Sequence, residues 1–379
     1  MSIRVVVLDV SKTTLTSDLT LQPGMEDFLC FCREKDIKIA FVTNSPFYKN
    51  IITRQNIEHD IIVTQEEIGK KKPSPDYIYY IENQLGIPRD RFIYIGDKDR
   101  TDAFCAANAN VLYFSATWAN RNPTYGIKVS SPQIVERLIR QYLLKENFWY
   151  WKLETSDEKD RNVQVYAMLN CASHIKNYAV EALKFGMLRY RFFFMFHLVA
   201  SLYLSGIYKE VNCWTNYPSS SVSDSINPIM DNIMRKFTTE VKKKHMNLFL
   251  RHTQSRDSGA SRYSGRKVAF ENQLSTININ PLFRRKIRGA RVLVLDDFTT
   301  EGYSFECARN LLFEAGASNV ICVSIGKYGF RHNVVTIQDE FNPFNRINTS
   351  EIRYNKTTLE ANEINNNVTK DLEESFDVR

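Results

Sequence analysis

The sequence lacks the features of a secreted or membrane-spanning protein. Apolar residues begin at Ile3 and Val5, which leaves no room before them for a basic leader and a cleavage site. The most apolar stretch, 192–204, contains His197 and is shorter than the roughly twenty residues of a membrane-spanning helix. We therefore expect a cytoplasmic protein in which this stretch is a buried helix.

Cysteines are few and irregularly placed, which argues against a disulfide framework. The chain has seven, an odd number, and most lie within apolar segments. This pattern is typical of unpaired, buried thiols in a reducing compartment. Cys30 and Cys32 lie two residues apart on a predicted helix and face different directions, so they do not predict a metal site.

The composition excludes fibrous and largely disordered proteins. Of the 379 residues, 43% are hydrophobic and 25% are charged, and the length allows two hydrophobic cores. The formal net charge of +7 permits attraction of anions but indicates no particular one. Two basic clusters, 242–244 and 284–288, leave nucleic acid binding as a weaker alternative, because no aromatic-rich platform accompanies them in the sequence.

Residues 292–304 combine a predicted buried strand with a turn that suits a phosphate. Val292–Leu295 has the branching and two-sided apolarity of a central strand, so Asp296 and Asp297 are expected at its carboxyl end, where open α/β sheets bind ligands. A helix is predicted over 305–315, and its free N–H groups favour an anion. Small residues that suit a phosphate precede it: Thr299, Thr300, Gly302 and Ser304. The pattern predicts a site for a phosphorylated sugar.

This stretch resembles the 5-phosphoribosyl-1-pyrophosphate (PRPP) motif of type I phosphoribosyltransferases. The resemblance implies that Asp296 and Asp297 face the ribose hydroxyls and a magnesium ion, while the loop 299–304 holds the 5'-phosphate. Glu301 departs from the family, which usually has a small hydroxyl residue there, and a carboxylate aimed at the phosphate would repel it. Either Glu301 points outward or phosphate binding is weakened. The alternative is a buried strand that ends in an Asp-Asp turn without a ligand.

A wider set of residues is similar to the competence-protein-F-like phosphoribosyltransferases. The residues that carry this similarity are Leu183–Gly186, Arg251, Arg262 and Gly265–Phe270. The basic segment 251–267 then stands for a loop that closes over pyrophosphate, and a disordered surface loop is the alternative. The phosphate contacts of that loop would be Arg251, Arg262, Arg266 and Lys267. A strand at 211–214 is expected to end in the pyrophosphate-binding turn that contains Ser219 and Ser220.

A second set of motifs occupies the start of the chain. Three apolar strands are predicted, and each ends at polar residues: Val5–Leu8 before Asp9, Ile39–Val42 before Thr43, and Ile93–Ile95 before Gly96 and Asp97. Lys72 lies between the second and third strands. A carboxylate nucleophile, a hydroxyl, a lysine and a further carboxylate, in this order, suit the transfer of a phosphoryl group with a metal ion.

These motifs resemble those of the haloacid dehalogenase (HAD) superfamily. The resemblance implies that Asp9 attacks phosphorus and that Thr43 and Lys72 stabilise the transferred phosphoryl group. Asp102 would be a supporting acid beside Asp97. Magnesium would be held by Asp9, Ser11 and Asp97. The expected substrate is a small phosphorylated molecule.

Ser11 departs from the phosphatases of this superfamily, which carry a second aspartate there as the acid for the leaving group. Such acid–base catalysis is typically worth about a hundred- to ten-thousand-fold in rate. We expect either a substrate with a good leaving group or a slow, regulatory domain, and a HAD fold without catalysis is the alternative. The short spacings from Asp9 to Thr43 and from Thr43 to Lys72 leave no room for an independent cap domain, so an open site is predicted.

The predicted fold is α/β, with two doubly wound parallel-sheet domains. A HAD-like domain is expected over 1–145, a linker over 146–163, a phosphoribosyltransferase fold over 164–335 and a polar tail over 336–379. Segment 163–208 is predicted to be helical. The asparagine-rich tail is expected to be poorly ordered or to pair with a partner.

Together these patterns predict a bifunctional, nucleotide-processing protein. One site would transfer phosphoribose to or from a nucleobase, using PRPP or a nucleotide with magnesium, and the other would remove a phosphate. A competing interpretation is a PRPP- or nucleotide-sensing regulator with little turnover, of the kind found in bacterial stress or anti-phage systems, to which Ser11 and Glu301 would be suited. No membrane is expected as a partner, and a homo-oligomer or a partner protein bound through the tail stays open.

Overall fold

The computed structural model describes residues 2–184, 187–220, 222, 244–255 and 269–377. These residues form two compact units. The first unit contains 2–146 and 199–209, and the second contains the other described residues. Some residues of the predicted phosphoribosyltransferase motifs lie outside the described residues: Phe185, Gly186, Arg262, Gly265, Arg266, Lys267 and Val268.

A six-stranded parallel sheet forms the centre of the first unit. Its strands are β1 (Val5–Asp9), β2 (Lys38–Val42), β3 (Ile61–Val63), β4 (Phe92–Gly96), β5 (Leu112–Ala116) and β6 (Ile127–Val129). Their spatial order is β3-β2-β1-β4-β5-β6, and all neighbours are parallel. Strands β1, β4 and β5 are buried along their whole length, as expected for largely apolar strands covered on both faces. The parallel sheet predicted for this part of the chain is confirmed.

Helices connect these strands. They are α1 (Met25–Glu34), α2 (Pro46–Arg54), α3 (Gln65–Ile68), α4 (Asp76–Leu85), α5 (Phe104–Ala109) and α6 (Pro132–Leu138). Pro46 occupies the first turn of α2, where its missing N–H costs no hydrogen bond. The residues between β1 and β2 are all described, and they form α1 and isolated bridges that join Ser11, Leu15 and Leu21. No further domain is inserted between these two strands.

The second unit is built on a seven-stranded mixed sheet. Its strands are β7 (Trp151–Ser156), β8 (Asn162–Asn170), β9 (Cys213–Asn216), β10 (Lys244–His245), β13 (Arg291–Thr299), β14 (Asn319–Lys327) and β17 (Glu363–Ile364). The spatial order is β10-β9-β13-β14-β8-β7-β17. Neighbours from β10 to β8 are parallel, whereas β7 and β17 are antiparallel to their neighbours. The prediction of a wholly parallel second sheet is therefore wrong, because β7 joins β8 through a tight turn instead of a crossover.

The segment predicted as a linker, 146–163, is part of this sheet. Strand β7 lies within it, and Trp151 and Leu153 are buried. The charged residues that suggested a linker form the turn to β8, where the Asp157 N–H donates to the Arg161 carbonyl at 3.0 Å. The prediction that 163–208 is helical is also wrong for β8, and only the later part of that segment forms helices.

Those helices are α7 (Ile175–Lys184), α8 (Leu188–Leu204) and α9 (Ile207–Glu210). The predicted buried helix at 192–204 corresponds to most of α8, and His197 is buried within it. Among the described residues, no helix is both long and apolar enough to cross a membrane. None of the seven cysteines forms a disulfide, and only Cys30 is exposed.

The predicted polar tail also has regular structure through residue 377. Strand β15 (Arg331–Ile337) pairs antiparallel with β16 (Tyr354–Glu360), and a helix follows at Asn366–Asp377. That helix buries Val368 and Leu372. The expectation of a poorly ordered tail is therefore wrong for these residues.

The remaining elements of the second unit are short except for one helix. They are β11 (Phe249–Arg251), β12 (Ile277–Ile279), α10 (Phe270–Leu274), α11 (Arg284–Ile287) and α12 (Tyr303–Glu314), and the tail helix is α13. Helix α12 follows β13 directly. It thereby places its amino end beside the carboxyl end of that strand.

A buried ionic network fixes α12 against the neighbouring strands. The Arg309 guanidinium donates to Glu306 Oε2 at 2.7 Å and to Asp157 Oδ2 at 2.7 Å, and all three side chains are fully buried. Glu306 Oε2 also accepts from the Val335 N–H at 2.9 Å, and Glu306 Oε1 lies 3.0 Å from His332 Nε2. Burial opposes ionisation, but Arg309 and the hydrogen bonds lower the pKa values of Glu306 and Asp157 to about 2.

Candidate active site

The predicted HAD residues meet at one edge of the first sheet. Strand β1 lies between β2 and β4, so the carboxyl ends of these three parallel strands bring Asp9, Thr43 and Asp97 together. The chain runs outward from β1 to β2 and β3 on one side, and then returns to β4 on the other side. Open α/β sheets form ligand sites at such a reversal of strand order. All three side chains are buried.

Lys72 joins this group from the loop before α4. Its ammonium contacts Asp9 Oδ1, donates to Asp102 Oδ1 at 2.7 Å and lies 3.3 Å from the Tyr94 hydroxyl. The Lys72 backbone N–H donates to Asn44 Oδ1 at 2.8 Å. The residue after Thr43 thus holds the loop that supplies the lysine. The ammonium and two carboxylates form a buried ion cluster.

Asp102 positions this cluster. Its Oδ1 accepts from Lys72 and, at 3.2 Å, from the Tyr94 hydroxyl, while its Oδ2 accepts from the backbone N–H groups of Asp97 at 3.3 Å and Lys98 at 3.1 Å. A Cβ on Gly96 would lie 2.6 Å from Asp102 Cβ. Glycine is therefore required where β4 ends, because only glycine lets Asp102 approach the backbone this closely.

Three buried carboxylates surround one ammonium group in this cluster, and this arrangement changes their pKa values. Burial, together with the charge of Asp102, raises the pKa of Asp9 to about 7, although Lys72 acts in the opposite direction. Burial and Asp102 also raise the pKa of Asp97. Burial opposes the charged form of Lys72, but Asp102 and Asp9 outweigh it and raise its pKa well above the ordinary lysine value. The cluster has an excess of negative charge.

This excess fits a hard divalent cation. Asp9, Asp97 and Asp102 each offer a carboxylate oxygen within 4.8 Å of the others, and among the described residues no other group of three or more acidic, histidine or cysteine side chains is this close. Asp9 Oδ2 is buried and accepts no hydrogen bond. Carboxylate oxygens are the ligands that Mg²⁺ prefers. The donor set therefore fits magnesium, with Asp9 and Asp97 as the carboxylates best placed to hold it because Asp102 is engaged elsewhere.

Ser11 is held on the side of the site where α2 begins. Its Oγ lies 3.0 Å from the Tyr48 hydroxyl. On another side, Thr13 donates to Asp97 Oδ1 at 3.4 Å. Sequence reasoning did not single out Tyr48, Asn44 or Tyr94 as site residues. Asn44 could have been recognised because it directly follows Thr43 in the sequence. No sequence feature marks Tyr48 or Tyr94 as a site residue.

The family comparison agrees with this geometry. Residues 2–116 match the family model described as haloacid dehalogenase-like hydrolase. This part of the chain is a haloacid dehalogenase-like domain. It accounts for the amino-terminal part of the predicted resemblance.

Similar proteins match the same region. A phosphoglycolate phosphatase from Pseudomonas fluorescens is 27% identical over 93 residues, which are 24% of this chain and 34% of that protein. A human N-acylneuraminate-9-phosphatase is 28% identical over 128 residues, which are 32% of this chain and 49% of that protein. The solved structure of a 4-nitrophenylphosphatase from Thermotoga maritima is 15% identical, covers 36% of this chain and 97% of its own, and has a TM-score of 0.32. The matches span half or less of the two phosphatases first named.

Outside the haloacid dehalogenase-like domain, the predicted acidic pair lies inside β13, which continues two residues beyond it to Thr299. Asp296 and Asp297 are half-buried near the carboxyl end of β13. Beyond them, Gly302 begins α12 with φ 88°, a left-handed conformation that favours glycine, and a Cβ there would lie 2.2 Å from the His332 ring. Thr299 is buried, whereas the side chains of Thr300 and Ser304 are half-buried around this turn.

Glu301 is fixed through its backbone. Its carbonyl accepts from the Asn333 N–H at 2.9 Å. Nearby, the buried Lys327 at the end of β14 contacts the Thr300 carbonyl and donates to the Arg331 carbonyl at 2.9 Å. Burial lowers the pKa of Lys327 to about 8, and the negative charge of Glu301 acts in the opposite direction. Lys327 thus supports the turn from inside the unit.

The predicted pyrophosphate turn lies next to the acidic pair. Strand β9 pairs with β13, and the Tyr217 N–H donates to the Leu295 carbonyl at 2.8 Å, so the turn with Ser219 and Ser220 follows at the same edge of the sheet. Both serines are half-buried.

Arg251 differs from its prediction as a contact on a mobile loop. It ends β11 and is buried, with its guanidinium donating to Thr276 Oγ1 at 2.6 Å and to the Pro218 carbonyl at 3.4 Å. The two terminal nitrogens of its guanidinium are thus engaged by protein oxygens, one of them in the turn after β9. Arg251 therefore positions this turn instead of reaching out to a phosphate.

Proposed function

We propose that the haloacid dehalogenase-like domain hydrolyses phosphate esters through a phosphoaspartyl intermediate on Asp9. The two oxygens of Asp9 are in different states: Oδ1 contacts the Lys72 ammonium, while Oδ2 is buried without a hydrogen-bond partner. A carboxylate anchored at one oxygen and bare at the other suits attack on an electrophile. This asymmetry is the observation that carries the proposal.

The reaction has two balanced steps. Asp9 attacks phosphorus as the P–O bond to the leaving group breaks, and the leaving oxygen departs as an anion or takes a proton from solvent. Water then attacks the phosphorus of the acyl phosphate, which releases inorganic phosphate and restores the Asp9 carboxylate. Lys72 and Thr43 stabilise the charge on the phosphoryl oxygens. Mg²⁺, when bound by Asp9 and Asp97, would neutralise that charge further.

The substrate class follows from the relatives and from Ser11. The two phosphatases are named for small phosphate esters. A serine is a much weaker acid than a carboxylic acid, so it cannot protonate a poor leaving group efficiently. We therefore propose small phosphate esters or acyl phosphates whose leaving groups are stable as anions.

The test is phosphate release from 4-nitrophenyl phosphate and acetyl phosphate by the full chain, with and without Mg²⁺. Asp9→Asn should abolish release, because the amide is not a nucleophile. Asp27→Asn, a change of an exposed carboxylate on α1, is the matched control and should leave the rate unchanged. Equal activity of the Asp9→Asn and wild-type proteins would contradict the proposal.

For the second unit, we infer a PRPP-binding site at the carboxyl end of β13. Asp296 and Asp297 are half-buried there. Gly302 directly precedes the first residue of α12, and the turn with Ser219 and Ser220 follows the neighbouring strand β9. Two carboxylates suit ribose hydroxyls and a magnesium ion, and a helix amino end suits a phosphate. Because Thr300 and Ser304 flank Gly302, they would donate further hydrogen bonds to that phosphate.

Two activities are compatible with such a site. Phosphoribosyl transfer would release pyrophosphate while Asp296 and Asp297 hold the ribose as positive charge builds at its anomeric carbon. A sensor would bind PRPP without releasing pyrophosphate. Calorimetry with PRPP and Mg²⁺, together with a pyrophosphate-release assay over a panel of bases, separates the two.

A variant pair tests whether binding occurs at this place. Asp297→Asn should weaken PRPP binding at least about tenfold, because it removes one of the two carboxylates that face the ligand. Asp160→Asn changes an exposed aspartate in the β7–β8 turn and should have no effect. Equal PRPP affinity of all three proteins would contradict this site.

A further inference from the structure

Strand β16 is one of the two strands of a small sheet in the second unit. It pairs antiparallel with β15 over seven residues, from Tyr354 opposite Ile337 to Glu360 opposite Arg331. Most of its side chains are exposed, on both faces of the sheet. No other described strand pairs with its second edge. An exposed edge of this length presents backbone groups to which another strand can add.

The other edge of this sheet, which belongs to β15, is used inside the unit. The Asn333 N–H donates to the Glu301 carbonyl at 2.9 Å, and the Val335 N–H donates to Glu306 Oε2 at 2.9 Å. Successive residues of a strand direct their backbone groups to opposite edges. Because Asn333 and Val335 direct theirs away from β16, the residues that alternate with them are the ones that exchange hydrogen bonds with β16.

The register then determines which backbone groups of β16 face outward. The two β15 residues just named lie opposite Thr358 and Lys356, so these two residues direct their N–H and carbonyl groups away from β15. The same alternation places the backbone groups of Tyr354 and Glu360 outward. Among the described residues, no group donates to or accepts from these outward backbone groups. The free edge of β16 is therefore ready to pair.

The charges on this edge are complementary to a second copy of the same edge. Lys356 and Glu360 lie two residues to either side of Thr358, and all three side chains share one face of the strand. If two copies pair antiparallel about a twofold axis at Thr358, each Lys356 lies opposite Glu360 of the other copy. Within the chain, Glu360 has only a contact of 3.9 Å with Arg331, and both side chains are 73% exposed. The carboxylate is thus available to a partner.

Other registers of this pairing match the charges less well. Outward backbone groups meet only when even-numbered residues stand opposite even-numbered residues. A twofold axis at Lys356 or at Glu360 would place like charges opposite each other, which is unfavourable. An axis at Thr357 or at Leu359 would place Lys356 opposite an uncharged residue. Of these positions, only Thr358 places opposite charges opposite each other.

We propose that β16 is a dimerisation strand, and that two copies of this chain join antiparallel through it about a twofold axis at Thr358. The paired strands would form a continuous four-stranded sheet, with β15 of each copy at its outer edges. A second copy is favoured over an unrelated peptide because the edge complements its own charges. The tail, which the sequence leaves open to a homo-oligomer or to another protein, thus serves a homodimer. This assignment is independent of both proposed activities.

Sedimentation velocity of the full chain over a micromolar concentration series measures the association. We expect a dimer that dissociates on dilution. Lys356→Glu should weaken it about tenfold or more, because the twofold symmetry places two carboxylates opposite each other at two points. Adding Glu360→Lys to this variant should restore the affinity, since the charges are exchanged but again complementary. Lys370→Glu makes the same charge change at an exposed residue of α13 and should have no effect.

Hydrogen–deuterium exchange resolved to single amides tests the proposed edge itself. The outward N–H groups of Lys356, Thr358 and Glu360 should exchange more slowly at high protein concentration than at low concentration. Those of Thr357 and Leu359 should be protected at both, because they pair with β15. A monomer throughout the series would overturn the proposal. So would a dimer that is unaffected by Lys356→Glu, that is not restored by the double change, or whose outward amides exchange equally at both concentrations.

Discussion

Asp9→Asn should abolish hydrolysis and yet stabilise the metal-free haloacid dehalogenase-like domain. In the folded protein the pKa of Asp9 is raised to about 7 from an ordinary value of 3.8. Burial and the Asp102 carboxylate disfavour the ionised form of Asp9, and Lys72 offsets only part of this effect. Asparagine keeps an oxygen that can accept from Lys72 but never ionises. It therefore removes the unfavourable charge.

The sign and size of the effect follow from linkage. Because the folded-state pKa is raised, the stabilising contribution of the protonated form is complete below about pH 4 and is lost as the pH rises through 7. The rise of the Asp9 pKa from 3.8 to about 7 corresponds to roughly 4 kcal/mol of stability. In the absence of metal, the variant should thus match the wild type near pH 4 and exceed it in stability near pH 8.

Hydrogen–deuterium exchange of the β1 and β4 amides measures this difference in the full chain. Wild-type and variant proteins are compared at each pH, first with a chelator and then with Mg²⁺. Mg²⁺ should reduce or reverse the difference, because it favours ionised Asp9. If the variant is less stable than the wild type at pH 8 without metal, the electrostatic description of the cluster is wrong.

Three further predictions concern other parts of the molecule. Ser11→Asp should raise kcat/KM for alkyl phosphates about a hundredfold, with a smaller effect on 4-nitrophenyl phosphate, whose leaving group needs no proton. Steady-state kinetics measure both values, and an equal rise for the two substrates would contradict the prediction. The second unit should lose stability as the pH falls from about 4 towards 2, because the pKa values of Glu306 and Asp157 are lowered to about 2. Hydrogen–deuterium exchange of the α12 amides should show this loss of stability. Glu306→Gln should make the stability of the second unit less dependent on pH. Gly302→Ala should destabilise the second unit by about 1–3 kcal/mol and weaken PRPP binding, since φ at this residue is 88° and a Cβ would meet His332. Urea unfolding measures the stability and calorimetry the binding, and no change in either would contradict the prediction.

Residues at strand ends could be predicted from the sequence because the signal is local. Apolar, branched runs stop at Asp9, Thr43 and Asp97, and parallel strands place such ends at one edge of a sheet. Tyr94 could not be recognised as a site residue, since its ring lies within an apolar strand and only the tertiary structure brings its hydroxyl to Asp102.

Strands with polar or continuous apolar sequences were harder to predict. Strand β8 is buried on both faces from residue 165 to 169 and has no alternation there, so periodicity alone does not separate this part from a helix. Strand β16 is exposed along most of its length and is held by pairing with β15, which a composition rich in asparagine and threonine does not reveal. Arg251 resembles a loop arginine in sequence, but the fold gives it buried acceptors.

The phosphoaspartyl intermediate on Asp9 can be detected by mass spectrometry. The full chain is mixed with acetyl phosphate and Mg²⁺, quenched in acid within one turnover, digested and analysed by mass spectrometry. We expect the peptide that contains Asp9 to gain the mass of one phosphoryl group in the wild type, and the corresponding peptide of Asp9→Asn to gain none. Phosphate release without any phosphorylated Asp9 peptide, or the same modification in both proteins, would contradict the mechanism.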